Sequence, residues 1–149
     1  RFYNKNVLET ATGVISASPR NDKGEDDIKE ICKELKIPYI ETKDIRHSDM
    51  PEHLKQAKVF VNGSKSERMS LSTAEALCAG LRVVDTKYNR GNEWYKGIVT
   101  VDTFDRDAVK SAIKKAYFDK DWDFTPNDEA RKLKWEDVAL KYKEILESL

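Results

Sequence analysis

The chain has 149 residues, the size of one domain able to bury about two-thirds of its unfolded surface. Hydrophobic residues are 39% and charged residues 36%, which makes the chain globular and charge-rich and too apolar for disorder. Lys plus Arg and Asp plus Glu are 27 each, so the basic excess of a nucleic-acid-binding domain is absent, and no apolar run approaches the roughly 18 residues of a membrane span.

The chain opens at Arg1-Phe2-Tyr3 with neither an initiator Met nor a signal peptide. A fragment or an expressed domain would begin so, as would a processed chain. Residues 1–12 show no clean period and read as a helix or a linker. Gly13 to Ala17 is the first strand, and Ser18 to Gly24 is a loop by composition. Residues 25–36 are helical, because Ile28, Ile31, Cys32 and Leu35 form one apolar stripe. Glu25, Asp26 and Asp27 occupy its first turn, where the helix dipole favours negative charge. Residues 38–40 form a second strand. Pro51 suits the first turn of a helix over 50–57, with Leu54 and Ala57 inward.

A β-branched strand, 58–62, then ends at the turn signal Asn62-Gly63. A polar loop leads to a helix over 71–79 that stops at Gly80, and residues 82–86 and 98–101 are the fourth and fifth strands. In the helix over 105–118 the stripe is Ala108, Val109, Ala112, Ile113 and Ala116. The last helix begins near Thr125-Pro126, with Thr125 as N-cap and Asp128 three residues on, and runs to Leu149 with a break before Trp135. Its apolar face is Val138, Tyr142, Ile145, Leu146 and Leu149. Five strands alternating with helices predict a single α/β domain, a doubly wound, Rossmann-like parallel sheet buried on both faces.

In such a sheet ligands bind at the carboxyl ends of the strands. The loops after the third and fourth strands lie there and hold Glu67, Arg68, Ser70, Lys87, Arg90 and Glu93. The helix start from Ser70 through Leu71 and Ser72 to Thr73 offers free backbone N–H groups, an anion site that a nucleotide diphosphate fits. Other chemistries lack their residues. No G-x-G-x-x-G follows a strand, and Gly63-Ser64-Lys65-Ser66 lacks the upstream Gly of a phosphate loop. A phosphate-receiver domain needs acids where Ser18-Pro19 and Asn62-Gly63 stand. His47 and His53 have no Ser or Cys partner for nucleophilic catalysis, and two His with two Cys give zinc little to bind. Cys32 and Cys78 read as small buried hydrophobes of a reducing, cytoplasmic compartment.

Glu67 and Glu75 are separated by seven residues, and Glu75 opens Glu-Ala-Leu-Cys-Ala-Gly-Leu-Arg-Val-Val. This resembles the E-x7-E signature of retaining glycosyltransferases with the GT-B fold, of the glycosyl transferases group 1 or family 4 type. Arg90-Gly91-Asn92-Glu93 resembles that family's Gly-x-x-Glu loop, and Trp135 to Tyr142 resembles its closing helix. The resemblance implies the C-terminal, donor-binding half of an enzyme that transfers a hexose from a nucleotide sugar with retention. Arg20, Lys23 and Glu67 would be its catalytic residues: the two cations clamp the diphosphate leaving group, and Glu67 contacts the hexose. Glu75 would hold the ribose hydroxyls, with Asn62, Gly63, Ser70, Leu71 and Ser72 completing the substrate-binding set.

The resemblance also implies that no metal or other cofactor is required. The acceptor-binding domain would be missing from this chain, and any peripheral membrane association would come from the missing part. The family carries Gly where Ser70 stands and a longer spacing between its two cations. Each residue also has a plainer reading. Ser72-Thr73-Ala74-Glu75 is itself a capping box, in which Glu75 would bond the Ser72 N–H. Glu67 would be a solvated loop acid, and Arg20 and Lys23 exposed cations near Asp22 and Glu25. The rival from another class is a non-enzymatic α/β module that binds a nucleotide or a partner.

Overall fold

The computed structural model describes residues 10–17, 23–122, 127–132 and 134–148. Five expectations therefore lie outside the described residues: the reading of residues 1–9, the loop position of Arg20, the cap at Thr125, the terminal Leu149, and the side chains of Trp135, Val138, Tyr142 and Ile145.

Five strands form one parallel sheet: β1 (Gly13–Ser16), β2 (Tyr39–Ile40), β3 (Ala57–Asn62), β4 (Arg82–Thr86) and β5 (Val99–Val101), in the spatial order β2-β1-β3-β4-β5. The order reverses direction between β1 and β3, so their carboxyl ends flank the crevice where the connections leave for opposite faces. The helices are α1 (Glu25–Leu35), α2 (Met50–Leu54), α3 (Leu71–Cys78), α4 (Arg106–Tyr117), α5 (Asp128–Arg131) and α6 (Trp135–Glu147), with 3-10 turns at His47–Asp49 and Arg90–Trp94.

Adjacent strand residues point to opposite faces, and the valine-rich strands therefore supply two cores. Ile15, Phe60 and Val83 face one side, where Leu54 of α2, Ala76 and Leu77 of α3 and Ala130 of α5 cover them. Val14, Val59, Val61 and Val84 face the other, under Ile28, Ile31 and Cys32 of α1 and Val109, Ala112, Ile113 and Ala116 of α4. Each fully buried Ile or Leu contributes about 1.5–3 kcal/mol by leaving water. Both predicted apolar stripes are thus core stripes. Cys32 is buried and Cys78 half-buried, and both are free thiols.

Three boundaries differ from the sequence reading. The helix expected over 50–57 ends at Leu54, because Ala57 is claimed by β3, where it pairs with Gly13. Ala57 is inward as expected, but as a strand residue. The second strand loses Pro38, whose missing N–H removes a ladder donor. The closing segment does break before Trp135. Its first piece starts at Asp128 and is capped by Asn127, whose Oδ1 accepts the Ala130 N–H at 3.0 Å. Asn127 N–H also donates to the Leu77 carbonyl at 3.0 Å, which docks α5 on the end of α3. Leu140 and Leu146 of α6 are exposed. Among the described residues no helix is long and apolar enough to cross a membrane.

Candidate functional site

The carboxyl ends of β1, β3 and β4 hold almost every side chain singled out from the sequence. Their assembly starts with a glycine. A Cβ on Gly63, just after β3, would lie 2.5 Å from the Lys23 carbonyl oxygen, so only glycine lets the loop after β1 lie against the loop after β3. That close approach puts Lys23 beside Glu67, and the two form a salt bridge, Nζ to Oε2. Both side chains are more than four-fifths removed from solvent, so the pair is better sheltered than an ordinary surface ion pair. The plainer readings of Glu67 as a solvated loop acid and of Lys23 as an exposed cation do not hold.

The loop after β3 is zipped to the loop after β4. Glu67 and Asn89 form a parallel backbone bridge, and Gly91 N–H donates to the Arg68 carbonyl at 3.1 Å. The 3-10 turn Arg90–Trp94 starts there, with Asn89 Oδ1 accepting the Gly91 N–H at 3.0 Å. Arg90 and Glu93 point into solvent.

Helix α3 begins two residues earlier than the capping-box reading requires. Ser70 is the N-cap, and its Oγ accepts the Thr73 N–H at 3.2 Å. Ser72 is already inside the helix, so Glu75 caps nothing. Glu75 instead lies half-buried with its Oε1 3.5 Å from His47 Nε2, a contact across from the turn before α2. Burial raises the Glu75 carboxyl above its ordinary range, and the His47 charge opposes that rise. The N–H groups of Leu71 and Ser72 have no intrahelical acceptor, and Leu71 is 58% exposed, so this helix start opens to solvent beside Glu67. Free N–H groups at the start of a helix are suited to an anion.

At the end of β3, Asn62 is completely buried. Its Oδ1 accepts the Ser64 N–H at 3.2 Å, and its Nδ2 has no acceptor among the described residues. A buried donor left unpaired costs about 1–3 kcal/mol, a cost tolerated where a ligand supplies the acceptor.

The sequence reading missed the most buried acid of the molecule's described part. Asp85, near the end of β4, has no exposed surface. Its Oδ2 accepts from Thr73 Oγ1 at 2.7 Å and Asn89 Nδ2 at 2.9 Å, and its Oδ1 accepts the Thr86 N–H at 2.6 Å. Burial nonetheless raises its pKa to about 6, since desolvation of the charge outweighs those three hydrogen bonds. The available signal was a charged residue directly after Val83-Val84 in a strand buried on both faces.

Among the described residues no group of three or more His, Cys, Asp or Glu is arranged to hold a metal ion. Of the residues singled out from the sequence, then, the fold brings Lys23, Asn62, Gly63, Glu67 and Ser70 to Ser72 to one end of the sheet. Glu75 stands one turn into α3, and Arg20 lies outside the described residues.

No curated protein sequence matches the chain. Among solved structures it is similar to a sucrose-phosphate synthase from Thermosynechococcus elongatus, with 17% identity and a TM-score of 0.72 over 93% of this chain and 45% of that one. It is similar to a UDP-forming α,α-trehalose-phosphate synthase from Burkholderia vietnamiensis, with 12% identity and a TM-score of 0.73 over 97% and 47%. The Anabaena protein HepE, solved in complex with UDP and glucose, matches at 14% identity and a TM-score of 0.71 over 95% and 50%. The chain thus spans about half the length of these structures. At such identities the likeness is one of fold: the α/β, Rossmann-like half of a GT-B glycosyltransferase. The family model "Glycosyl transferases group 1" matches residues 10–119, which hold all five strands and both sheltered partners Lys23 and Glu67, and the chain belongs to that family.

Proposed function

We propose that the chain is the donor-binding half of a retaining glycosyltransferase, which transfers a hexose from a nucleotide sugar to an acceptor held by another domain. The observation that carries this reading is the sheltered Lys23–Glu67 pair beside the open start of α3. A diphosphate seated on the N–H groups of Leu71 and Ser72 meets the Lys23 ammonium, which stabilises the negative charge that grows as the sugar–phosphate bond breaks. Arg20 would add a second cation in the same loop. Glu67, freed from Lys23 by the arriving phosphate, accepts hydrogen bonds from the hexose, and Glu75 takes the ribose diol. The acceptor oxygen forms its bond to the anomeric carbon on the face that the phosphate leaves. The departing phosphate oxygen takes the acceptor's proton, so configuration is retained and no base is needed on this chain.

Family membership and the HepE complex with UDP support a nucleotide-sugar donor. The residue assignment is tested by two substitutions. Glu75→Gln should weaken both UDP and a UDP-sugar, because each carries the ribose. Glu67→Gln should weaken only the sugar-bearing form and leave UDP bound at least as well, since Lys23 is released from its pair. Equal affinity of wild type and Glu75→Gln for UDP would remove Glu75 from the site.

A further inference from the structure

We propose that Asp85 is a positioning residue for the donor site: its buried carboxylate ties the first turn of α3 to the loop after β4, and this tie holds the anion cradle and Glu67 in register. The inference rests on the donor-site reading above and concerns a residue to which that reading gives no task.

Three observations carry it. The carboxylate is fully buried, yet it accepts hydrogen bonds from two segments of the candidate site, the first turn of α3 and the loop after β4. One partner, Thr73, sits in the helix turn whose free N–H groups form the cradle. Its N–H is already held by Ser70, so the Asp85 bond fixes that turn from below. The other partner, Asn89, is the residue that bridges Glu67 and caps the turn at Gly91. Removing the carboxylate therefore unties both walls at once, while the apolar contacts of β4 remain with Val83 and Val84. A buried carboxylate is costly inside a strand, and two of the three hydrogen bonds that offset that cost run to these two segments. Burial keeps its proton affinity high, and of the charged groups on neighbouring elements Glu67 adds to that. Glu67 is itself paired with Lys23, Lys87 is turned to Asp102, and Glu75 contacts His47.

The experiment uses the whole 149-residue chain with UDP as probe, in wild type, Asp85→Asn and Thr73→Val. The last removes only the hydroxyl and serves if Asp85→Asn does not fold. Calorimetry gives the UDP affinity from pH 5 to 7.5, and amide hydrogen exchange reports each segment. At pH 7.5 both variants should bind UDP about tenfold more weakly, the loss of a hydrogen bond to a charged group. The ratio of wild-type to Asp85→Asn affinity, in which UDP's own titration cancels, should fall towards one as the pH drops and Asp85 takes up its proton. Amides of 71–73 and 89–91 should exchange faster, while those of β1 and α4 keep their protection. Unchanged affinity, a ratio that ignores pH, or exchange that rises equally everywhere would reduce Asp85 to a structural residue and overturn the proposal. If wild type binds no UDP, the donor-site reading fails on its own, and the exchange pattern alone decides whether Asp85 holds the two segments.

Discussion

Replacing Asp85 by Asn should change how the stability of the fold depends on pH. The ordinary aspartate value is 3.8, and burial raises Asp85 to about 6. Each tenfold change in proton affinity is worth about 1.4 kcal/mol, so the difference amounts to about 3 kcal/mol. The sign follows from which state holds the proton. Well below pH 4 the folded and unfolded chains both carry a protonated Asp85. Between about pH 4 and 6 the folded chain keeps that proton and the unfolded chain has lost it, so stability falls as the pH rises. By pH 7 both are ionised, and the folded state has given up the whole ~3 kcal/mol. Asn cannot titrate. It also has one acceptor oxygen where the carboxylate has two, so its NH2 must face a donor, either the Thr86 N–H or the Thr73 and Asn89 pair, a cost that does not depend on pH. The slope of the difference between the two proteins therefore carries the test, and its absolute value does not. Urea unfolding at pH 4, 5, 6 and 7.5 should show the variant gaining about 3 kcal/mol relative to wild type across the series. Parallel curves would refute the claim that an ionised carboxylate is held at a cost inside this sheet.

Three other outcomes follow from single contacts. Gly63→Ala places a methyl carbon 2.5 Å from the Lys23 carbonyl, which must push the two loops apart, and it should cost about 1–3 kcal/mol by urea unfolding while weakening nucleotide binding. Ser70→Ala removes the cap of α3 and should cost about 1 kcal/mol, whereas Ser72→Ala should stay within about 0.5 kcal/mol; the reverse order would restore the capping box. The chain alone, incubated with radiolabelled nucleotide sugars and a broad panel of glycan, lipid and protein acceptors, should transfer no sugar, because transfer needs donor and acceptor in register with water excluded. Robust transfer above slow hydrolysis would contradict the half-enzyme reading.

The strands and the two long apolar stripes were legible because periodicity is a local property. Val14 and Ile15, or Val83 and Val84, must face opposite cores once the sheet is parallel and covered on both sides. The boundaries were less legible. Ala57 fits the stripe of a helix, and only the register against Gly13 turns it into a strand residue. The start of α3 shows the same limit. Ser72-x-x-Glu75 is a plausible cap in the sequence, yet the cap is Ser70, which holds the Thr73 N–H while Asp85 from the next strand holds the Thr73 hydroxyl. In the candidate site, the motif and its context pointed to Glu67, Glu75 and the helix start. The contact between Lys23 and Glu67, 44 residues apart, needed the adjacency of β1 and β3 and the bare Cα of Gly63. Asp85 stayed hidden because its partners, Thr73 and Asn89, stand on other elements, and the contact of His47 with Glu75 joins the turn before α2 to α3 in the same non-local way.

Donor binding by this chain is the central claim, and a calorimetric titration of the wild-type protein with millimolar UDP, GDP, ADP and dTDP tests it most directly. At a ligand concentration 100 times the dissociation constant, binding should also stabilise the fold by about 2.7 kcal/mol, visible as a rise in Tm. The account predicts saturable heat and a matching rise in Tm with at least one of the four, both lost in Lys23→Ala. No heat and no shift in Tm with any of them would contradict it.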